Sequence, residues 1–340
     1  MASINLDGLA QAIATYAKVE KKLVLAEFAK AMKVSVDKYC KIVTKVNGEY
    51  HLYNTVMSHV VQGFEPKWQE LGEWYARESI IKSYRQKVNF PIVPANVLGT
   101  ALAELYQENK EPTVKEIVRI IIKDLLIQIT DDLELLSMQG SYDPANKSGK
   151  FGFSLEGWNQ IVKNLLKNTN NPAYKIPLDP LTEVNIYDQL LKFEKDIPKK
   201  MRAKIKYIHM STNNADNYTI EYESRKGQVV TYKDSDKTKS PLGKRAIIGH
   251  DNMDDDIIFA TIEGNMVKLI DLIENPATIN DVQKEDYKIK LFSDFELGYG
   301  FALNEAVLVA NFTDQTKGLG NDELMELYYP HESGIKKNNV

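Results

Sequence analysis

The sequence predicts an α+β fold, with helices and strands segregated along the chain. Two stretches carry that prediction. Thr113 to Met138, TVKEIVRIIIKDLLIQITDDLELLSM, is one long amphipathic run, whereas the last third, from Ile257 to Ala310, reads as a series of short strands. Helices followed by strands, rather than strict alternation, mark the α+β class.

The long run comes first because the remainder is organised around it. Pro112 precedes it, and Thr113 with Glu116 forms a capping-box pattern at its start. Val114, Ile117, Val118, Ile121, Leu125, Ile129, Leu133 and Leu136 recur at three- and four-residue steps and so share one face. Gly140 marks its end. At 1.5 Å per residue such a helix is about 39 Å long. Ile120, Ile127 and Met138 fall on the opposite, charged side and point to a second contact surface. Asp132 lies inside the apolar stripe, so it is expected to pair with a lysine or arginine or to sit where the stripe meets a loop.

The other elements follow in order. Residues 1–47 read as helices, with Leu6, Leu9, Ala10, Ile13 and Ala17 in one stripe and Leu23, Ala26, Phe28 and Met32 in a weaker one. Such an arm cannot bury its stripe alone and must dock on its own domain or on a neighbouring subunit. Lys87 to Pro94 reads as an extended strand ending in prolines, hence an edge. Residues 95–110 look helical. Beyond the long run, helices are expected from Ser154 to about Asn168, from Val184 to Glu194 and from Ala215 to Arg225, with a strand at Ile205–Met210. Residues 233–245 read as a charged, exposed loop. Ile257–Ile262 and Met266–Ile270 flank Glu263-Gly264-Asn265, a hairpin-type loop. Tyr287–Leu291 alternates as a half-buried strand, and Phe295–Phe301 contains Gly298 and Gly300, which mark a bend or a close backbone approach. Ala306–Ala310 is the last strand, and residues 313–340 read as a tail.

Composition removes several function classes. The 340 residues include 43 basic and 47 acidic side chains, for a net charge of -4, which is not the balance of a basic nucleic-acid binder. A single cysteine, Cys40, excludes an intramolecular disulfide framework and fits a reducing compartment. No apolar run reaches the length of a membrane span, and the first residues lack the pattern of a signal peptide.

Searches for catalytic chemistry find little. Gly243-Lys244 lacks the phosphate-loop context, Gly298-Tyr299-Gly300 lacks the third glycine of a dinucleotide fingerprint, and no G-x-S-x-G elbow occurs. His51, His59, His209, His250 and His331 are scattered, without the spacing of a metal site. Cys40 reads as a small apolar filler. The best metal candidate is His250 to Asp256, HDNMDDD, whose four carboxylates suit a hard cation; Met253 and a missing glycine depart from a calcium loop, and the plainer reading is a solvated turn before a strand. Glu116, Asp124, Asp131, Asp132 and Glu134 on the long run lack the Glu-x-x-His partner of a di-metal bundle. The basic run Lys199 to Lys206 could touch phosphate, but reads first as a solvated helix end. No catalytic, cofactor-binding or metal-ligating residue is assigned.

Three pieces of the chain resemble the major capsid proteins of tailed double-stranded-DNA bacteriophages, the Hong Kong ninety-seven-type fold. One runs from Phe64-Glu65-Pro66 through Arg85–Phe90 and Pro94 to the long helix closing in Asp131-Asp132-Leu133-Glu134. Another is the strand Ile205–Met210 followed by Ser211 and a helix. The most specific joins Asp254-Asp255-Asp256-Ile257-Ile258-Phe259-Ala260-Thr261 and Gly264-Asn265 to the run from Phe295 to Val307. The resemblance covers about residues 55–312. It implies an N-terminal arm at 1–50, a P-domain at 51–140 with 266–295, and within it an extended loop near 80–112 and a spine helix at 113–138. It further implies an A-domain at 141–265 with 296–312, and a C-terminal tail at 313–340. The implied role is a non-enzymatic coat protein without cofactors or a membrane partner. It would form hexamers and pentamers in an icosahedral head around double-stranded DNA, without sequence-specific binding. Its partners would be a portal and scaffold or decoration proteins, and its place the virion, assembled in the bacterial cytoplasm. Two other readings remain open: an encapsulin-like shell around protein cargo, and a metal-dependent hydrolase using Asp251, Asp254 and Asp256.

Overall fold

The computed structural model describes residues 11–15, 30–46, 48–93, 114–226, 238–271, 281–285 and 288–333. Its helices and strands form two sheets, each with its own hydrophobic core, and a separate two-stranded ribbon.

The first sheet is built from β1 (Lys41–Thr44), β4 (Tyr84–Ile92), β9 (Met266–Asp271), β10 (Asp281–Glu285) and β11 (Lys288–Phe301). Its axis is β11, which pairs antiparallel with β4, β9 and β10, while β1 runs parallel to β9. The two halves of β11 that the sequence presents separately, 287–291 and 295–301, are one strand. Pro91 sits on β4, which among the described strands pairs only with β11, as suits a proline in a sheet.

Against one face of this sheet lies α1 (Val114–Gln139), the expected long helix. Val118, Ile121, Leu125, Ile129, Leu133 and Leu136 are buried as their spacing predicts; Ile122 and Leu126 join them and widen the stripe. Of the back-face residues, Ile127 is exposed, Ile120 is half-buried and Met138 is buried. The proposed cap at Thr113 lies outside the described residues, as does the helix expected at 95–110. Asp132 accepts from the Gln128 amide at 2.8 Å, one turn away, and borders a cavity with the loop at 141–154, the second of the two places expected for it. Next to α1 runs α2 (Trp158–Lys167), starting at Gly157 rather than Ser154. A Cβ at Gly157 would lie 2.6 Å from the Met138 carbonyl oxygen, so only glycine lets α2 begin against the end of α1.

The second sheet follows the order β5 (Tyr174–Pro177), β12 (Val307–Asn311), β8 (Phe259–Thr261), β6 (Tyr207–Ser211) and β7 (Ala246–His250). Its core is closed by α3 (Ile186–Lys195), α4 (Thr212–Lys226) and α5 (Asp322–Tyr328), and a short α6 (Pro330–Ser333) follows.

Several sequence expectations are corrected. Ile257–Ile262 and Met266–Ile270 do not form a hairpin: β8 belongs to the second sheet and β9 to the first. The turn signal at 263–265 is real, but it redirects the chain between layers. Asn265 fixes that crossing by accepting from the Leu303 amide at 2.7 Å and donating to the Leu303 carbonyl at 2.9 Å, on the return crossing from β11 to β12. Residues 313–333 are not a tail, because Leu319, Leu324, Tyr328 and Tyr329 are buried in the second core. The loop at 238–245 is not wholly exposed: Arg245 is buried and pairs with Glu194 at 2.7 Å. Residues 35–44 are a short 3-10 helix (Ser35–Tyr39) and β1, not part of a long helix, since β-branched Ile42, Val43 and Thr44 add to the open edge of β9.

Candidate interaction surface

The extension expected near 80–112 falls largely outside the described residues. Residues 80–92 complete β3 and form β4 within the first sheet, and 94–112 lie outside the described residues. The projecting element is an antiparallel ribbon of β2 (Glu49–Met57) and β3 (Trp74–Lys82), in register from Glu49 opposite Lys82 to Met57 opposite Trp74. Nine residues per strand span about 30 Å. Burial alternates along EYHLYNTVM, but its polarity does so only from Glu49 to Leu52, and sixteen residues separate Met57 from Trp74 on the partner strand.

The ribbon is anchored at its base and along one face. Ser83 and Gly48 exchange hydrogen bonds, with the Ser83 amide 2.7 Å from the Gly48 carbonyl and the Gly48 amide 2.8 Å from Ser83 Oγ. Ser83 Oγ also donates to Glu296 on β11. Gly298 and Gly300, on the same face of β11, admit this joint: a Cβ at Gly298 would overlap the Lys82 carbonyl oxygen and stand 2.9 Å from Ser83 Cα. The close approach predicted for these glycines is thus present. Farther out, Asn54 donates to the Ala302 carbonyl at 2.6 Å and Arg77 to the Asn170 carbonyl at 2.9 Å.

Among the described residues, the large apolar side chains of the other face and of the tip stand exposed. Tyr53, Met57, Trp74 and Ile80 are exposed on that face, and at the tip Phe64 and Trp68 are each 95% exposed. Large apolar side chains exposed together on one element mark an interaction site. On the outer face His51 lies 2.6 Å from Glu78, and this hydrogen bond holds the Glu78 carboxyl below its ordinary range.

The other sequence candidates are dispersed. The acidic residues of 250–256 point to different partners: Asp251 accepts from Thr212 Oγ1 at 2.6 Å, Asp254 from Lys163 Nζ at 2.6 Å and Asn159 Nδ2 at 2.9 Å, and Asp255 from Ser211 Oγ and from Asn213 Nδ2. Asp256 lies 3.4 Å from the same Lys163. They tie the 251–256 turn to α2 and α4, and among the described residues no group of three or more potential ligands could hold a metal ion. Lys200 donates to the Tyr328 carbonyl, Arg202 to the carbonyls of Ile197 and Lys195, and Lys206 to the Glu263 carboxylate, so these three cations have partners within the chain. On α1, Asp124 and Asp131 are exposed, and Glu134 accepts from the amide and hydroxyl of Ser35. Burial pushes the Cys40 thiol far above its ordinary range, which fits a filler rather than a nucleophile.

One cluster has no sequence signal. His209 and His250, forty-one positions apart, meet with Nδ1 and Nε2 3.0 Å apart and rings stacked, against the edge of Tyr39. Both are buried, and burial, the largest cause, lowers both pKa values, that of His250 to about 4.

No protein-family model matches the chain, and no curated protein matches it in sequence. Solved structures do. A chain of the satellite phage P4 procapsid, a structure that includes the size determination (Sid) protein, aligns over 87% of this chain and 92% of its own, with a TM-score of 0.52 at 9% identity. The capsid of the native GTA particle aligns over 82% and 90%, with a TM-score of 0.50 at 10% identity. The chain has a phage major capsid fold. This agrees with the fold that the sequence resemblance implied. Within this capsid fold the described helices include none long and apolar enough to cross a membrane.

Proposed function

We propose that the chain is the coat subunit of a tailed-phage head, copies of which assemble into a closed icosahedral shell around double-stranded DNA. One observation carries the reading: a body with the capsid fold projects a ribbon whose tip and outer face are apolar and uncovered. A monomer gains nothing from exposing Phe64, Trp68 and their neighbours, whereas a shell covers them with further copies. In this reading the first sheet with α1 and α2 is the peripheral domain, α1 the spine helix, the second sheet with α3 to α6 the axial domain, and the ribbon at 49–82 the extended loop. Hexamers and pentamers, a portal, and scaffold or decoration proteins belong to the same proposal. The mildly acidic chain would hold its genome by enclosure rather than by contact.

The test is negative-stain imaging and sedimentation of the chain expressed alone and with candidate scaffold proteins. Closed particles of uniform diameter are expected. A small, monodisperse species at every concentration, with or without the assembly partners, would overturn the proposal. The contents of particles made in an infected host would separate a genome container from a cargo compartment.

A further inference from the structure

The buried histidine pair lies where the two layers meet. His209 on β6 and His250 at the end of β7 turn to the face of the second sheet that looks toward the first core, where Phe259 stacks on His209 with centroids 4.8 Å apart. Tyr39 sets its ring edge against both, at 4.9 and 6.0 Å, and against Tyr207 at 5.2 Å. The segment that carries Tyr39 is tied to the first layer on either side of it. Before it, Asp37 is held by Lys268 Nζ at 2.6 Å and Ser35 by Glu134 of α1; after it, β1 pairs with β9. The turn Lys38–Cys40 thus bridges this segment to the second sheet. A cleft of about 70 Å³, lined in part by Lys38, Tyr39, Tyr207 and His209, reaches the pair and has room for about two waters.

The bond between the rings, 3.0 Å from Nδ1 to Nε2, needs a proton on one of these nitrogens and a lone pair on the other. Protonating both rings puts an N–H on each facing atom and sets two like charges in contact. The surrounding charges do not relieve this. Lys38, with Nζ 5.0 Å from the Tyr39 ring centroid, opposes protonation of both histidines. Asp251 favours it at His250 but is engaged by Thr212, as Asp255 is by Ser211 and Asn213, and Glu263 by Lys206. Phe259 and Thr261, from β8, are uncharged. We propose that His209 and His250 form an acid-operated catch: when the pair takes up protons, the turn Lys38–Cys40 lifts off the second sheet while Asp37 and β1 stay on the first, so that the two layers are uncoupled at this edge. Because it concerns a single copy, the catch operates whether or not copies assemble. In the closed form burial holds His250 at about 4, whereas in the open form it takes up its proton near the ordinary value of about 6.5, so the open fraction rises as pH falls from 6.5 toward 4. Between pH 7 and pH 5 that rise is about twentyfold from His250 alone, and His209, depressed in the same direction by burial, adds to it.

The chain's single cysteine, Cys40, reports the opening. Its thiol donates to the Val36 carbonyl at 3.5 Å, a bond lost when the turn lifts. The unassembled chain is labelled at pH 7 and at pH 5 with a dithiodipyridine, a reagent that attacks thiols in acid as well as at neutrality. Each rate is divided by that of the chain unfolded in guanidinium at the same pH. The ratio should rise by about twentyfold or more from pH 7 to pH 5, with the near-ultraviolet circular dichroism unchanged. The rise should vanish in the variant His209→Gln with His250→Gln. A ratio that stays flat in the unaltered chain, a rise that survives both substitutions, or a rise that coincides with global unfolding would each overturn the proposal. Magnetic resonance of the unaltered chain, with histidine and tyrosine ring carbons labelled, makes the test independent of how the variant folds. Signals of His209, His250 and Tyr39 should shift over one pH interval, and a Tyr39 ring that keeps its surroundings while the pair titrates refutes the catch.

Discussion

Replacing Gly298 by alanine tests the joint on which the ribbon stands. A Cβ there would fall 2.9 Å from Ser83 Cα and overlap the Lys82 carbonyl oxygen, two backbone positions that no rotamer change can clear. Either the joint moves off β11 or β11 bends away from β4. Overpacking of this kind costs about 1–3 kcal/mol. The displacement also stretches the 2.9 Å bond from Ser83 Oγ to Glu296, worth about 1 kcal/mol more. We therefore expect a loss of about 3 kcal/mol, roughly a hundredfold in the folded-to-unfolded ratio. Guanidinium unfolding followed through the fluorescence of buried Trp158 measures it, and a lower midpoint with an unchanged slope is the expected form. Gly264→Ala is the reference: its φ is +77° but no atom lies within 4 Å of the added carbon, so its cost is conformational only, about 1 kcal/mol. A Gly298→Ala protein within about 0.5 kcal/mol of the parent would refute the argument that these glycines exist for close approach.

Four further outcomes follow from other sites. Lys268 is buried with Nζ 2.7 Å from the Met32 carbonyl and 2.6 Å from Asp37, so Lys268→Met should cost about 3–5 kcal/mol by stranding that carboxylate, and adding Asp37→Asn should recover much of it in the same unfolding assay. His250 is held neutral when folded, with its pKa depressed to about 4 by burial, whereas the unfolded chain takes up its proton near the ordinary histidine value. Its contribution is therefore complete above about pH 6.5 and lost as pH falls toward 4, by about 3 kcal/mol, and His250→Gln should flatten the pH dependence of the midpoint over that window. Phe64→Ser with Trp68→Ser should leave the melting temperature unchanged, since both side chains are 95% exposed, yet abolish particles in sedimentation. Tyr329→Phe removes the hydroxyl that donates to the Glu305 carbonyl and should lower stability by about 1 kcal/mol by calorimetry.

What the sequence makes legible is what local periodicity encodes. The stripe of α1, the edge character of β4 and the close approach at Gly298 each depend on neighbours a few residues away, and the residues around them state it. What periodicity cannot carry is a choice between distant partners. Glu263-Gly264-Asn265 has the composition of a hairpin turn, yet Asn265 spends its side chain on Leu303 and the two flanking strands part company. Tyr328 and Tyr329 looked like surface residues because the partners that bury them, such as Tyr174, lie more than a hundred positions earlier. The ribbon was missed for a related reason: Tyr53, Met57, Trp74 and Ile80 face outward among charged residues, which breaks the alternation of polarity, and sixteen residues separate the two strands. The dispersed carboxylates of 251–256 show the converse, a suggestive cluster in sequence whose members face different neighbours once folded.

The late position of β11 and β12 bears on how the chain leaves the ribosome. Strand β4 pairs only with β11 among the described strands, and β5 only with β12, so each waits more than a hundred residues of synthesis for its partner. Contacts of such sequence separation form slowly; the first sheet cannot close until Phe301 has emerged, nor the second until Asn311 has. The ribbon base, seated on β11, is then among the last places to become rigid. Nascent chains crowded on one message would therefore present no finished docking geometry to one another, and oligomerisation would be postponed until each subunit had been released.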